Sequence, residues 1–217
     1  MKKINNRYCF YLNLSIILLF NYLDLISSAT AKVFDPDSFT LNNGMKVVLI
    51  RNHRIPVITH MVWYRVGSAD EPQGQTGIAH FLEHLMFKGT KNYKPGEFSQ
   101  IVSRNGGKGN AFTSTDYTAY YQTIAVKHLS KVMKMEADRM SNLVITKKEI
   151  RTEVQVILEE RRSRIENSPR GLLSEQLNAS LFINHPYRNP VIGWKKDIVN
   201  LNKSQIKSFY KKWYIPN

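Results

Sequence analysis

The chain has 217 residues, of which 42% are apolar, 22% charged and 11% aromatic. This balance excludes collagen-like, low-complexity and disordered classes, and leaves an ordinary folded protein with enough chain for one core. Lys and Arg outnumber Asp and Glu by 31 to 17, a formal charge of +14, and the one cysteine, Cys9, excludes a disulfide framework and a thiolate zinc cage.

Residues 1–31 read as a secretory signal peptide. Lys2, Lys3 and Arg7 make a basic start, Phe10 to Leu23 is a mainly apolar run of 14 residues, and Ser27-Ser28-Ala29-Thr30-Ala31 supplies an A-x-A pattern. The apolar run falls short of the roughly 20 residues that a membrane-spanning helix needs, so cleavage after Ala31 is expected rather than anchoring. The mature domain, 32–217, would carry 28 basic and 16 acidic residues, no cysteine and no membrane span. Export, to a periplasm or to the medium, is the expected fate.

Phe39 to Ile50 predicts two short strands around Asn42-Asn43-Gly44, an Asn-Gly hairpin signal. Val57 to Val66 predicts a third strand. Thr76 stands where it could cap a helix running to about Lys88, and Pro95 to Ser103 predicts another helix. Gly106-Gly107-Lys108-Gly109 breaks the chain. Asn110 to Thr113 and Tyr117 to Ala125 then read as paired strands around Ser114-Thr115-Asp116.

From there the pattern is helical. Leu129, Val132, Met133, Met140 and Leu143 recur at helical spacing, as do Ile150, Val154, Ile157 and Leu158; Gly171 to Phe182 and Lys203 to Trp213 predict further helices. Strands first and helices after predict an α+β domain, an antiparallel-rich sheet with helices packed on one face. Lys203, Lys207 and Lys211 share a helical face opposite Ile206, Tyr210 and Trp213, which is the pattern of a solvated surface. The basic residues are otherwise dispersed and no aromatic-interleaved basic groove occurs, so no nucleic-acid partner is expected.

The first predicted helix carries His80-Phe81-Leu82-Glu83-His84. Four residues make slightly more than one turn, so both imidazoles lie on one face and can meet at one point. That suits zinc, which takes nitrogen and oxygen ligands in tetrahedral array. Glu83 lies beside the same face, where a carboxylate can accept a proton from a metal-bound water without being a ligand. Chance would give His-x-x-Glu-His on the order of once in a hundred chains of this composition. The flanking Ile78, Phe81, Leu82, Leu85 and Met86 predict a buried helix, in which unpartnered imidazoles and a carboxylate would cost several kcal/mol of desolvation.

A catalytic zinc site needs a third protein ligand and an open fourth position. His53, His60, His128 and His185 have no spacing to recommend them, whereas Glu149, Glu153, Glu159 and Glu160 cluster on a later predicted helix. Glu153 and Glu160, seven apart, share a face that also holds Val156 or Ile157. Spacing alone leaves Glu159 and Glu160 as alternatives.

The order His-x-x-Glu-His is the inverse of the commoner zinc-peptidase motif. Its context resembles the pitrilysin-type zinc metallopeptidases, over nearly all of the mature chain. The resemblance rests on Asn43-Gly44, Gly67-Ser68, the run from Gly77 through His80 and His84 to Gly89-Thr90, Asn110-Ala111-Phe112-Thr113 through Asp116, Thr118 and Tyr120, and Val156-Ile157-Leu158-Glu159-Glu160. It implies a zinc endopeptidase holding one Zn²⁺ on His80, His84 and Glu160, with Glu83 as the base and Glu153 as a carboxylate positioning a ligand or the water. It implies that Asn110-Ala111-Phe112 is an exposed strand to which a peptide substrate adds. It further implies another strand after Asn217 and a second domain of similar fold. The chain is therefore expected to be truncated, a fragment, or a half that needs a partner, and a catalytically silent or partner-dependent subunit is the alternative to an active peptidase.

Overall fold

A computed structural model describes residues 35–216, so the proposed signal segment lies outside the described residues. The chain divides into two compact units. One holds strands β1 (Pro36–Thr40) and β2 (Lys46–Ile50), antiparallel with Thr40 opposite Lys46. Gly44 takes φ +87° in the turn between them, a left-handed conformation that glycine adopts without steric cost.

The other unit holds everything from Asn52 onward together with turn residues 41–45. Its sheet has the order β3–β5–β4, all antiparallel: β3 (Val57–Tyr64), β4 (Lys108–Thr113) and β5 (Thr118–Ala125). Thr118 of central β5 lies opposite Tyr64 on one side and Thr113 on the other, and β4 forms an edge. The helices are α1 (Ile78–Leu85), α2 (Glu97–Arg104), α3 (Leu129–Asn142), α4 (Lys147–Arg161), α5 (Pro169–Leu181), α6 (Lys195–Asn200) and α7 (Lys203–Trp213). One π-helical turn, Arg162–Glu166, follows α4. Tyr120, Gln122 and Ile124 of β5 are buried, whereas Met61 and Trp63 of β3 are exposed on the opposite face. The expected α+β arrangement, with helices over one face of an antiparallel sheet, is the one observed.

Helix α1 lies at the centre of this core. Ile78, Phe81, Leu82 and Leu85 are all essentially inaccessible and join Tyr64, Tyr120, Ile157 of α4, and Ile206 and Phe209 of α7. An eight-residue helix is marginal in isolation; burial of each large apolar side chain contributes about 1.5–3 kcal/mol and holds it in place. The lysines of α7 point to solvent opposite buried Ile206 and Tyr210, as expected.

Three local details differ from expectation. Thr76 does not cap α1; its hydroxyl donates to Asp197 Oδ2 at 2.6 Å. Gly77 is the N-cap at φ +85°, and the Glu71 carboxylate accepts from the N–H groups of Gly77 (2.8 Å) and Ala79 (2.9 Å). A distant carboxylate thus satisfies the helix donors that a local hydroxyl was expected to meet. Strand β4 begins inside the glycine run, because the absence of side chains lets that backbone approach β5: a Cβ on Gly107 would stand 2.8 Å from the Thr123 carbonyl oxygen. Helix α6 was not anticipated, being too short to carry a period.

Candidate metal centre

Helices α1 and α4 bury their apolar faces in the same core, and this brings their polar groups together. The rings of His80 and His84 stand 4.7 Å apart at 70°. Glu160 Oε2 lies 3.7 Å from His80 Nε2 and 3.4 Å from His84 Nε2. One donor atom from each of the three residues falls within 4.8 Å of the other two, which makes them the candidate metal-holding group among the described residues.

The environment keeps His80 in ligating form. Burial, followed by the neighbouring His84 and Arg164, pushes the His80 pKa down to about 3, so its imidazole is neutral. His84 Nδ1 stands 3.1 Å from Glu153 Oε2, and since a carboxylate only accepts, Nδ1 is the donor in this contact. Glu153 is 2% exposed, and its other oxygen is paired with Lys88 Nζ at 2.6 Å. The outer oxygen of Glu160, Oε1, meets Arg164 at 2.9 Å, leaving Oε2 directed at the histidines. Two imidazoles and a carboxylate therefore converge on one point. Their nitrogen and oxygen donors fit zinc.

Glu83 stands outside this trio. Its Oε2 accepts a hydrogen bond from Thr113 Oγ1 at 2.5 Å. Burial raises its pKa; the Thr113 hydrogen bond and His84 act downward, and Glu160 acts upward. The result is a carboxyl group held readier to take a proton than an exposed glutamate.

Strand β4 reaches this site through Thr113. The turn-proximal Ser114 N–H donates to the Tyr117 carbonyl at 2.8 Å, and bonded pairs alternate along an antiparallel ladder. Gly109, Ala111 and Thr113 consequently direct their backbone groups away from β5, to the free edge. Among the described residues the Ala111 N–H is met there only by the Asn110 side chain, at 2.9 Å. Asn110 is exposed, and Ala111 and Phe112 are half-buried. Phe112 turns to the open face, where its ring meets Trp63 at 5.5 Å and Tyr117 at 6.1 Å.

Of the two glutamates that spacing left open, Glu160 faces the histidines, while Glu159 is exposed and pairs with Arg162 at 2.6 Å. Between Val156 and Ile157, Ile157 is the buried one. His60 contacts Gln122, and His185 accepts from the Tyr187 N–H; neither reaches the site. Lys88, Thr113 and Arg164 were missed as site residues. Lys88 and Arg164 carried a signal, each standing four residues, one helical turn, beyond a singled-out residue (His84 and Glu160). Thr113 stood in the run Asn110-Ala111-Phe112-Thr113 that carries the resemblance, without a role of its own assigned.

The fold is that of a peptidase family. The sequence model of the Insulinase family (Peptidase family M16) matches residues 46–195, and the chain belongs to that family. It is 41% identical to "Zinc protease PqqE" of Helicobacter pylori over 94% of this chain and 46% of that protein. The crystal structure of a protease from Helicobacter pylori superposes with a TM-score of 0.82 at 42% identity, covering 84% of this chain and 44% of that one. The periplasmic protease PqqL from Escherichia coli gives 0.76 at 25% identity, over 83% of this chain and 21% of that one. The chain thus spans less than half the length of these relatives.

Proposed function

We propose that the chain carries the metal-binding and proton-transferring part of a zinc-dependent endopeptidase acting on peptides or small unfolded polypeptides. The observation that carries this reading is the convergence of His80, His84 and Glu160, with Glu83 beside them and outside the trio. In this reading the three residues hold one Zn²⁺, and Glu153 and Lys88 keep His84 oriented. Bound zinc would supply Lewis acidity toward a water and a peptide carbonyl. Glu83 takes the proton of the attacking water on Oε1, the oxygen that Thr113 does not occupy, and returns it to the leaving amine. Substrate adds as a strand along β4, where Ala111 and Thr113 offer outward backbone groups and Asn110 and Phe112 flank them.

A second domain or partner chain of similar fold completes the substrate chamber, a reading supported by the chain spanning under half of its relatives. The same observation favours a second reading, a subunit that cleaves only with a partner. Export is supported by the order of basic, apolar and small residues in 1–31 and by the periplasmic relative.

The test is hydrolysis of an unfolded polypeptide by the purified chain together with the proteins that copurify with it. Cleavage should stop with chelator, return with zinc, and be absent in Glu83→Gln at unchanged zinc content. Cleavage at the parental rate by Glu83→Gln, or in excess chelator, would overturn the proposal.

A further inference from the structure

A cavity of about 390 Å³ opens between α5 and the 188–191 loop. Its wall includes Arg164, Arg170 and Arg188, with Ser174, Asn178 and Asn189 between them. Glu175 also borders it, but its carboxylate is taken up by Arg161, at 2.7 and 2.9 Å, in a buried pair. Arg188 gives one N–H to the Ile183 carbonyl at 2.9 Å and retains its other donors. Arg170 has no hydrogen bond or ion pair among the described residues. The cavity wall therefore carries an uncompensated positive charge.

Arg164 ties this cavity to the metal centre, because its guanidinium rests on the outer oxygen of Glu160. Gly171 lets α5 press against the same turn: a Cβ there would lie 2.6 Å from the Arg164 carbonyl oxygen. No aromatic side chain lines the cavity, so nothing offers a nucleobase a stacking surface. Guanidinium groups interspersed with a hydroxyl and amides match the planar, multiply accepting carboxylate.

We propose that this cavity is a subsite for a carboxylate of the peptide substrate, from an acidic side chain or the C-terminus, and that it favours cleavage near that group. The proposal rests on the peptidase reading for its substrate class.

The test is binding, which does not depend on turnover. The Glu83→Gln chain is titrated into short fluorescein-labelled peptides of Ala, Ser and Leu, followed by anisotropy. One series compares Glu with Gln along the peptide, and a second compares a free C-terminus with its amide, which separates the two sources of carboxylate. At least one carboxylate-bearing series should bind about tenfold tighter than its neutral counterpart. Arg170→Gln and Arg188→Gln should remove most of that advantage and leave binding of the neutral peptides unchanged. Equal binding of acidic and neutral peptides, or an advantage that survives both substitutions, would overturn the proposal. Failure of the parental chain to hydrolyse peptides, with the carboxylate preference intact, would count against the peptidase reading and not against the subsite.

Discussion

Replacing Glu153 by Gln separates a residue that tunes a metal ligand from one that merely supports a helix. Its carboxylate is 2% exposed and shared between His84 Nδ1 at 3.1 Å and Lys88 Nζ at 2.6 Å. Glutamine keeps the shape, and its carbonyl can still accept from Nδ1–H. The amide then turns its own donors toward the Lys88 ammonium, and the negative charge beside His84 Nδ1 is gone. Loss of such an outer partner costs about 10–100-fold in metal affinity, or roughly 1.4–2.7 kcal/mol. The fold loses less than a fully buried ion pair would imply, because the Lys88 side chain is 33% exposed and can turn to water; about 1–2 kcal/mol is expected.

Zinc affinity is read by competition with a chromophoric chelator, and metal-free stability by urea unfolding. The expected result is zinc affinity down at least tenfold with a smaller fall in stability. Zinc affinity within about twofold of the parent, with stability reduced, would refute the assignment of Glu153 to the metal centre.

Thr113→Val removes the hydrogen bond that draws the Glu83 pKa down, so that pKa rises further from its ordinary value. Because Glu83 must be ionised to accept a proton, the acidic limb of kcat/KM should move to higher pH with the plateau position retained; an unmoved or lowered limb refutes Glu83 as the base. Gly77→Ala places a Cβ 2.6 Å from the Ile192 carbonyl oxygen at φ +85°. It should cost more than the ~1–2 kcal/mol of left-handed strain alone in denaturant unfolding, and a smaller loss would mean that the 192–193 loop gives way. Glu71→Ala strips the acceptor from two N–H groups at the start of α1 and should cost about 1–3 kcal/mol in the same assay. Unchanged stability would show that water replaces the carboxylate.

Much of this architecture was legible in the sequence because period and turn chemistry agree. The Asn-Gly hairpin, the strand pair around Ser114-Thr115-Asp116 and helix α7 were predicted within a few residues of their observed positions. Long-range satisfaction was not legible. No local rule links Glu71 to the first turn of α1, or Thr113 to Glu83 thirty residues away. At the centre, the spacing of His80 and His84 fixed a common face, but Glu160 was separated from Glu159 only by resemblance. The reason is physical: neighbouring residues on one helix point about 100° apart, and which one faces α1 depends on how Ile157 seats α4 in the core. Lys88 and Arg164 were readable as one-turn neighbours, yet only the packing of α1 on α4 reveals that the acid Lys88 meets is Glu153.

The most direct measurement is zinc content together with zinc X-ray absorption on the purified chain, compared with His80→Ala and Glu160→Ala. The expected result is one zinc per chain with two imidazole nitrogens and carboxylate oxygen at bonding distance, lost in both variants. Zinc bound at parental stoichiometry by either variant, or a parental chain that takes up none when zinc is supplied, would contradict the account.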